Sequence, residues 1–288
     1  HYSPIGRTRT FPATDSSPAR VDFAVTSGNN YTDGYFNIFG WLVERDKAAE
    51  DEEQIEFLVH VGDYIYEYDG GTGPVDEWIA AREIPFDDSA GAIERAADHG
   101  QAASSLANYR QLYRTYRADL QFRALHERFP FIVIWDDHEF SDDSWQSTGT
   151  YFGGVHNEQD TPRRQRAEQA FFEYVPIDHG TWTPVGEQVA LAFAELENEV
   201  YPAAEIQREF QYGDLLHFIM TDYRSDRADH YIPEDAFPGT VVLDKATLVG
   251  VLGEAGYQAA RARFGPYVDL NALPAPYGEH QEAYLAAL

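Results

Sequence analysis

Two apolar segments of this chain are followed directly by side chains that can bind metal ions or transfer protons. The first, residues 57–61, leads into Asp63 and Tyr66. The second, residues 131–135, leads into four consecutive polar residues: Asp136, Asp137, His138 and Glu139. A carboxylate and a phenolate form a hard, anionic ligand pair that suits a ferric-type ion. Because ligands of α/β proteins usually bind beyond the carboxyl ends of strands, we predict that these segments form two halves of one metal site.

The two clusters differ in how specific they are. Asp63 and Tyr66 lie three residues apart after a strand and can converge on one point, although a Gly-Asp pair alone is common in turns. Gly213-Asp214 repeats that pair at a predicted hairpin turn, and we interpret it as structural. The cluster at 136–139 is the stronger signal, since packing poorly explains so many polar residues after an apolar run. Its alternative is a helix N-terminus, where aspartates favour the first turn.

A third predicted strand ends in Asp222, Arg224 and Arg227. Arginine side chains at this position could bind phosphate oxygens through paired hydrogen bonds. The alternative is an Arg–Asp pair on the protein surface, which contributes little to stability. Both interpretations remain open at this point.

Strands and helices alternate along the chain, which predicts α/β architecture. We predict an extended entry segment over residues 1–20 and one catalytic domain over 21–288, with a long loop or insertion at 67–103. Apolar periodicity and turn residues predict the following elements. They are strands at 21–26, 57–61, 131–135, 205–212 and 215–221, and helices at 36–45, 105–117, 119–128, 161–174, 244–263 and 277–288.

The chain is strongly acidic, with a formal net charge of −28 and lysine only at positions 47 and 245. Such a field repels nucleic-acid backbones and anionic membranes, so neither is an expected partner. The acidic residues could solubilise the surface, bind hard cations such as Ca²⁺, or do both. The sequence contains no cysteine, which excludes disulfides and zinc–thiolate sites. No apolar run long enough to span a membrane and no signal peptide are predicted.

Taken together, these motifs resemble the PhoD-like phosphatases, which are secreted alkaline phosphatases and phosphodiesterases, including phospholipase D-type enzymes. The resemblance is carried by Val61-Gly62-Asp63-Tyr64-Ile65-Tyr66-Glu67-Tyr68, Trp135-Asp136-Asp137-His138-Glu139-Phe140-Ser141-Asp142-Asp143-Ser144-Trp145 and Asp222-Tyr223-Arg224-Ser225-Asp226-Arg227. The family is related to purple acid phosphatases within the metallophosphoesterases. It implies an αββα sandwich of sheets flanked by helices, secretion or a periplasmic location, and Fe³⁺ with Ca²⁺ as cofactors.

The resemblance also implies roles for particular residues. Asp63 would bridge two metals, Tyr66 would bind the ferric ion, and Asp137 would bind the second metal. His138 would donate to the phosphate or leaving group, and Arg224 would neutralise phosphoryl charge. Further residues are candidates for supporting or substrate-contacting positions: Asn29, Asp136, Glu139, Asp222 and Arg227.

This sequence departs from the family pattern in two ways. The family usually has a cysteine ligand to iron in the turn after the first strand, where this chain has Gly28. Iron would then bind more weakly, or an oxygen-preferring divalent ion would replace it. The family's C-terminal Gly-Asp-x-His segment and N-terminal β-sandwich are not found, so we expect an interior or trimmed piece of the family architecture.

Two functions follow from these observations. The first is metal-dependent hydrolysis of phosphate mono- or diesters, small molecules or phospholipids, by metal-activated water. The alternative is a catalytically impaired, acidic cation-binding or interaction domain of the same fold, which the glycine at position 28 favours. Oligomeric state and preference between mono- and diesters are not predicted.

Overall fold

A computed structural model describes residues 5–70, 82–95, 100–149, 159–177, 200–227, 249–250, 253–259, 267–269 and 284–286. The strands are β1 (Phe23–Thr26), β2 (Phe57–His60), β3 (Ile93–Glu94), β4 (Gln101–Ala102), β5 (Phe131–Val133), β6 (Arg208–Tyr212), β7 (Leu216–Met220), β8 (Tyr267–Asp269) and β9 (Tyr284–Ala286). The α-helices with assigned bounds are α1 (Asn37–Ala48), α2 (Leu106–Ala118), α3 (Leu120–Arg128), α4 (Thr161–Tyr174) and α5 (Tyr223–Asp226). Short 3-10 helices cover Asp51–Glu53 and Ser89–Gly91.

Strands β1, β2 and β5 form a parallel three-stranded sheet with β2 in the centre. Every residue of β2 is buried, as expected for a parallel strand that is covered on both faces. The register pairs Ala24 with Leu58 and Leu58 with Phe131. Because the strands run in one direction, the segments that follow β2 and β5 leave the sheet at the same edge. The two predicted halves of the metal site are therefore neighbours.

Different elements cover the two faces of this sheet. The antiparallel hairpin β6–β7 packs on one face, where the ring of Phe218 lies 5.1 Å from that of Phe23 and 5.6 Å from that of Phe57. Helix α3 packs on the other face, where the ring of His126 lies 3.9 Å from that of Phe131. The described layers are thus helix, parallel sheet and hairpin, which confirms the predicted α/β class. The hairpin supplies the second β layer that an αββα sandwich requires.

Local sequence explains where the central helices begin. Ser105 caps α2 by accepting a hydrogen bond from the backbone N–H of Asn108, whose side chain accepts in return from the Ser105 N–H. Asp119 caps α3 by accepting from the first-turn N–H groups. Helix α4 begins at the predicted residue, and its capping side chain is Asp160. The carboxylate of Asp160 reaches the N–H of Arg163 at 2.9 Å, three residues along, as an N-cap must.

Most other predicted elements are confirmed to within a few residues. The predicted entry segment packs against the sheet and the hairpin through one aromatic side chain. The ring of Phe11 lies 5.1 Å from that of Phe57 and 5.4 Å from that of Tyr212, so this side chain anchors the segment against the core. The described part of the 67–103 loop contains the short antiparallel pair β3–β4. The division into an entry segment and one catalytic domain stays a prediction.

The prediction of a helix at 277–288 was wrong for the residues that the structure describes. Tyr284–Ala286 is a strand that pairs antiparallel with Tyr267–Asp269. The short apolar run at 283–288 fits a helix or a strand, and pairing with another strand decides between them. Of the helix predicted at 244–263, residues 249–250 and 253–259 are helical and the others lie outside the described residues. Among described residues, no helix is long and apolar enough to cross a membrane.

Helix α3 offers a direct test of the packing against the sheet, because it carries two leucines in contrasting environments. Leu125 is fully buried and Leu120 is 70% exposed. We expect Leu125→Ala to lower the free energy of unfolding by about 2–5 kcal/mol, because a cavity remains where the side chain was. Leu120→Ala, the matched control, should change it by less than about 0.5 kcal/mol. Urea unfolding followed by circular dichroism measures both, and equal effects would contradict the assigned layer.

Candidate metal centre

The three predicted site segments meet at the carboxyl edge of the sheet. Oxygen and nitrogen atoms of Asp63, Asp137 and His138 lie within 4.8 Å of one another. Asp63 follows β2 and the other two follow β5, so each strand contributes to the same point. Arg224, after β7, reaches this point through ion pairs to Asp136 and Asp137.

The backbone before Asp63 has a shape that requires glycine. Gly62 has a φ of 100°, and a Cβ placed there would lie 2.4 Å from the backbone nitrogen of Asp136. Glycine therefore lets the segment after β2 touch the segment after β5. Asp63 itself has a φ of 53°, in the left-handed region that aspartate and asparagine tolerate better than most residues. This turn directs the carboxylate into the site instead of back along the strand.

Glu139 holds the two strand ends together. Its buried carboxylate accepts hydrogen bonds from the backbone N–H of Asp63 at 3.2 Å, of Asp136 at 2.7 Å and of Tyr64. Burial and the charge of Asp63 raise the pKa of Glu139, whereas the backbone donors stabilise its ionised form. Both carboxylate oxygens are occupied, so Glu139 positions the site and is not itself a ligand in this arrangement.

Asp63 and Tyr66 converge as their spacing predicts. The Tyr66 hydroxyl donates to Oδ2 of Asp63 at 3.2 Å. The other oxygen, Oδ1, is buried and has no hydrogen-bond partner among the described residues. Burial raises the pKa of Asp63 to about 6, with the charges of Asp137 and Asp136 adding to the effect and His138 opposing it. A buried carboxylate oxygen without a donor is costly, and a bound cation would satisfy it.

His138 is held by a glutamate that the sequence analysis did not select. Its Nδ1 lies 2.7 Å from Oε2 of the fully buried Glu67, and its ring centroid lies 4.0 Å from that of Tyr66. Burial alone would lower the pKa of His138, but Glu67, Asp137 and Asp142 outweigh burial and raise it to about 10. The contact with Glu67 directs Nε2 toward the carboxylates, where it can donate a proton or bind a cation.

Asp137 is shared between two groups of possible ligands. Its Oδ2 accepts from the backbone N–H of Asp143 at 2.5 Å, because the loop after residue 140 folds back over it. Asp142 and Asp143 place carboxylate oxygens within 4.8 Å of it, forming a second acidic group beside the first. Asp142 and Asp143 are exposed, and partial desolvation of Asp142 together with the charge of Glu67 raises its pKa to about 6. Two adjacent cation positions that share one aspartate are compatible with this arrangement.

Arg224 is engaged with the aspartates in this structure. Its Nε lies 2.6 Å from Oδ1 of Asp136, its Nη2 lies 3.1 Å from Oδ1 of Asp137, and its Nη1 donates to the carbonyl of Ser144 at 3.1 Å. The ion pair between Arg224 and Asp137 is largely buried, whereas the alternative from the sequence was an Arg–Asp pair on the protein surface. Arg224 therefore orients Asp137 and brings a positive charge to the edge of the site.

Asn29, Asp222 and Arg227 occupy supporting positions in this structure. Asn29 is buried, and its amide group donates to the carbonyl of Tyr64 at 2.9 Å. Asp222 caps α5 and accepts from the indole N–H of Trp135 at 2.9 Å. Arg227 lies over the ring of Tyr223, and its carbonyl accepts a hydrogen bond from a side chain of the 141–149 segment.

Two residues that the sequence analysis missed complete the support. Glu67 fixes His138, and its other oxygen accepts from the backbone N–H of Asp142. His60 lies at the end of β2 with Nε2 2.6 Å from Oδ1 of Asn29, and burial lowers its pKa to about 3, so it is neutral. A polar residue inside the apolar 57–61 run was the available signal for His60. Glu67 could be suspected only from its position in the strand-end motif.

The side chains present fit hard cations. The donors are carboxylate oxygens, one phenol and one imidazole, a set that suits Ca²⁺, Fe³⁺ or similar oxygen-preferring ions. Gly28, which stands where the family places cysteine, faces this group: a Cβ there would lie 3.7 Å from the Tyr66 hydroxyl. The turn at position 28 is therefore beside the site, as expected, but it contributes no side-chain ligand.

The Glu139 carboxylate provides a test of how the two strand ends are joined. Glutamine has one acceptor oxygen, so Glu139→Gln leaves at least one of the three backbone donors facing an amide nitrogen. We expect a loss of about 1–3 kcal/mol in the free energy of unfolding, measured by urea titration. Glu52→Gln, at an exposed position of the first 3-10 helix, should have no measurable effect. A variant of Glu139 as stable as the unchanged chain would show that these hydrogen bonds do not join the segments.

Comparison with known proteins gives a consistent result. The family model of the PhoD-like phosphatase matches residues 23–258. The chain is 29% identical over 231 residues to alkaline phosphatase D of Bacillus subtilis (strain 168), covering 79% of this chain and 33% of that protein. A solved structure described as the structure of PhoD is similar with a TM-score of 0.53 and 26% identity, covering 79% of this chain and 36% of the other. The chain spans about a third of the length of both relatives. The motifs, the fold and a family match that covers most of the sequence show that this chain belongs to the PhoD-like phosphatase family.

Proposed function

We propose that this chain carries the metal-binding and phosphate-binding residues of a phosphoesterase that hydrolyses phosphate mono- or diesters. The observation that supports this most is the convergence of Asp63, Asp137 and His138 around a buried carboxylate oxygen that has no donor among the described residues. Family membership supports phosphoester chemistry as the use of such a site. When bound, a metal pair would lower the pKa of a water molecule and withdraw charge from the phosphoryl group.

The protein's own side chains have distinct roles in this proposal. Asp63, Tyr66 and Asp137 would hold the ions. His138, oriented by Glu67, would donate a proton to the phosphate or to the leaving group. Arg224 would hold Asp137 in place and stabilise negative charge on the phosphoryl oxygens. The absence of a side chain at Gly28 favours Ca²⁺ or another oxygen-preferring ion over iron.

The setting of this activity is also part of the proposal. Alkaline phosphatase D gives the precedent for a small phosphoester substrate, and a phospholipid is the second substrate class. We propose a secreted or periplasmic location.

Asp63→Asn tests whether the site binds metal for catalysis. Asparagine tolerates the left-handed backbone at this position, so the fold should be retained while one charged ligand is lost. We expect the metal content after reconstitution with Ca²⁺ and Fe³⁺ to fall, and hydrolysis of p-nitrophenyl phosphate and bis(p-nitrophenyl) phosphate to drop by about a hundredfold or more. Mass spectrometry of bound metal and release of p-nitrophenol are the two measurements.

Asp214→Asn is the matched control, since Asp214 follows the chain's other Gly-Asp pair at an exposed hairpin turn. It should leave metal content and hydrolysis unchanged. If the unchanged chain binds metal but hydrolyses neither ester, the alternative of a cation-binding domain without catalysis is supported instead. If Asp63→Asn alters neither metal content nor hydrolysis, the proposed site is wrong.

Tyr66→Phe separates iron from other cations. A ferric ion bound to a phenolate absorbs visible light by charge transfer, so a protein reconstituted with Fe³⁺ should be coloured if Tyr66 is a ligand. We expect Tyr66→Phe to lose this absorption band, and Tyr223→Phe, at an exposed position, to retain it. An iron-loaded but colourless unchanged chain would exclude Tyr66 as a ferric ligand and point to a divalent ion.

A further inference from the structure

A cavity of 380 Å³ lies between α2, α3 and the entry segment, and none of the candidate metal ligands lines it. Its apolar wall comes from the residues after α3, from β5 and from the segment after α4, and includes Phe129, Phe131, Val133, Val175 and Ile177. Its polar side chains are Arg7, Thr8, Tyr64, Arg117 and His126. An apolar wall that faces a few converging polar groups is typical of a small-molecule binding site.

Three of these polar side chains, those of Tyr64, His126 and Arg117, form one hydrogen-bonded group. The Tyr64 hydroxyl lies 2.6 Å from Nε2 of His126 and accepts from Nη1 of Arg117 at 3.2 Å. Arg117 also donates to the carbonyl of Tyr174 at 2.6 Å. No carboxylate lines the cavity in the part of the chain that the structure describes. The guanidinium of Arg117 is therefore held in place by neutral partners, and its charge is not neutralised there.

This local charge is opposite to that of the chain as a whole. The chain has a formal net charge of −28, and most buried arginines elsewhere, such as Arg164 and Arg224, have carboxylate partners. Here two arginines face a partly apolar cavity. Burial and the charge of Arg117 lower the pKa of His126 to about 3, which agrees with a positive local field and a neutral imidazole. An anion would be the complementary occupant.

We propose that this cavity binds a small carboxylate that carries an apolar chain. The carboxylate would accept hydrogen bonds from Arg117 and Arg7, whose planar guanidinium groups match its geometry. The apolar chain would lie against the walls formed by β5 and by the residues after α4. The site is separate from the proposed phosphoesterase centre, although Tyr64 contributes its backbone to one and its hydroxyl to the other.

Isothermal titration calorimetry with octanoate tests this proposal on the full chain. We expect saturable binding of one octanoate per chain, and much weaker binding of acetate, which lacks the apolar chain, and of 1-octanol, which lacks the charge. Arg117→Gln should weaken octanoate binding by about tenfold or more, as expected for the loss of a charge-assisted hydrogen bond. Arg7→Gln, at an exposed position where folding is not at risk, should weaken it as well.

Arg114→Gln is the matched control, because Arg114 is exposed on the same helix one turn earlier and does not line the cavity. It should bind octanoate as the unchanged chain does. Asp63→Asn should also bind octanoate normally, so the result does not depend on the phosphoesterase proposal. The proposal is overturned if octanoate does not bind, if 1-octanol binds equally well, or if neither Arg117→Gln nor Arg7→Gln weakens binding.

Discussion

The contact between the segments after β2 and β5 is the constraint on which the candidate centre depends. Gly62 lets the two backbones approach, because any Cβ there would collide with residue 136. The Glu139 carboxylate then accepts N–H donors from both segments. Without this contact, Asp63 and Asp137 would belong to two separate loops. With it, the carboxylates that repel each other are held together by neutral backbone groups, which is the arrangement that a cation can stabilise.

A second set of side chains holds the residues of the centre in place through hydrogen bonds. His60 orients Asn29, and Asn29 bonds to the backbone beside Asp63. Glu67 orients His138 in the same manner, and Arg224 orients Asp137. Such outer contacts fix the direction of the side chains that they hold, and in metal sites contacts of this kind raise the affinity of a ligand. Several buried polar residues hold the side chains of the centre in fixed directions. Burying polar groups is costly, so this arrangement indicates that the geometry serves a function besides the stability of the fold.

Charge is distributed unevenly in this molecule. The acidic excess of the whole sequence does not identify a site, because solvated acidic surfaces are common. What distinguishes the candidate centre is that it holds Asp137, which is buried, beside Asp63, whose pKa burial raises to about 6. The cavity beside α3 shows the opposite case, with an arginine that has no carboxylate partner among the described residues. At each location, like charges outnumber the opposite charges among the described residues.

The sequence by itself determined the class of the fold and the chemical character of the strand ends. Apolar runs and turn residues are local signals, so β2, α2 and α3 and the polar residues that follow the strands could be predicted. The roles within the site depended on contacts between residues distant in sequence. His138 and Glu67 are 71 positions apart, and Arg224 and Asp136 are 88 apart. Only the tertiary structure could show that Glu139 and Asn29 support the site and that Glu67 belongs to it. The physical reason is that burial and hydrogen-bond partners arise from packing, which short-range patterns do not encode.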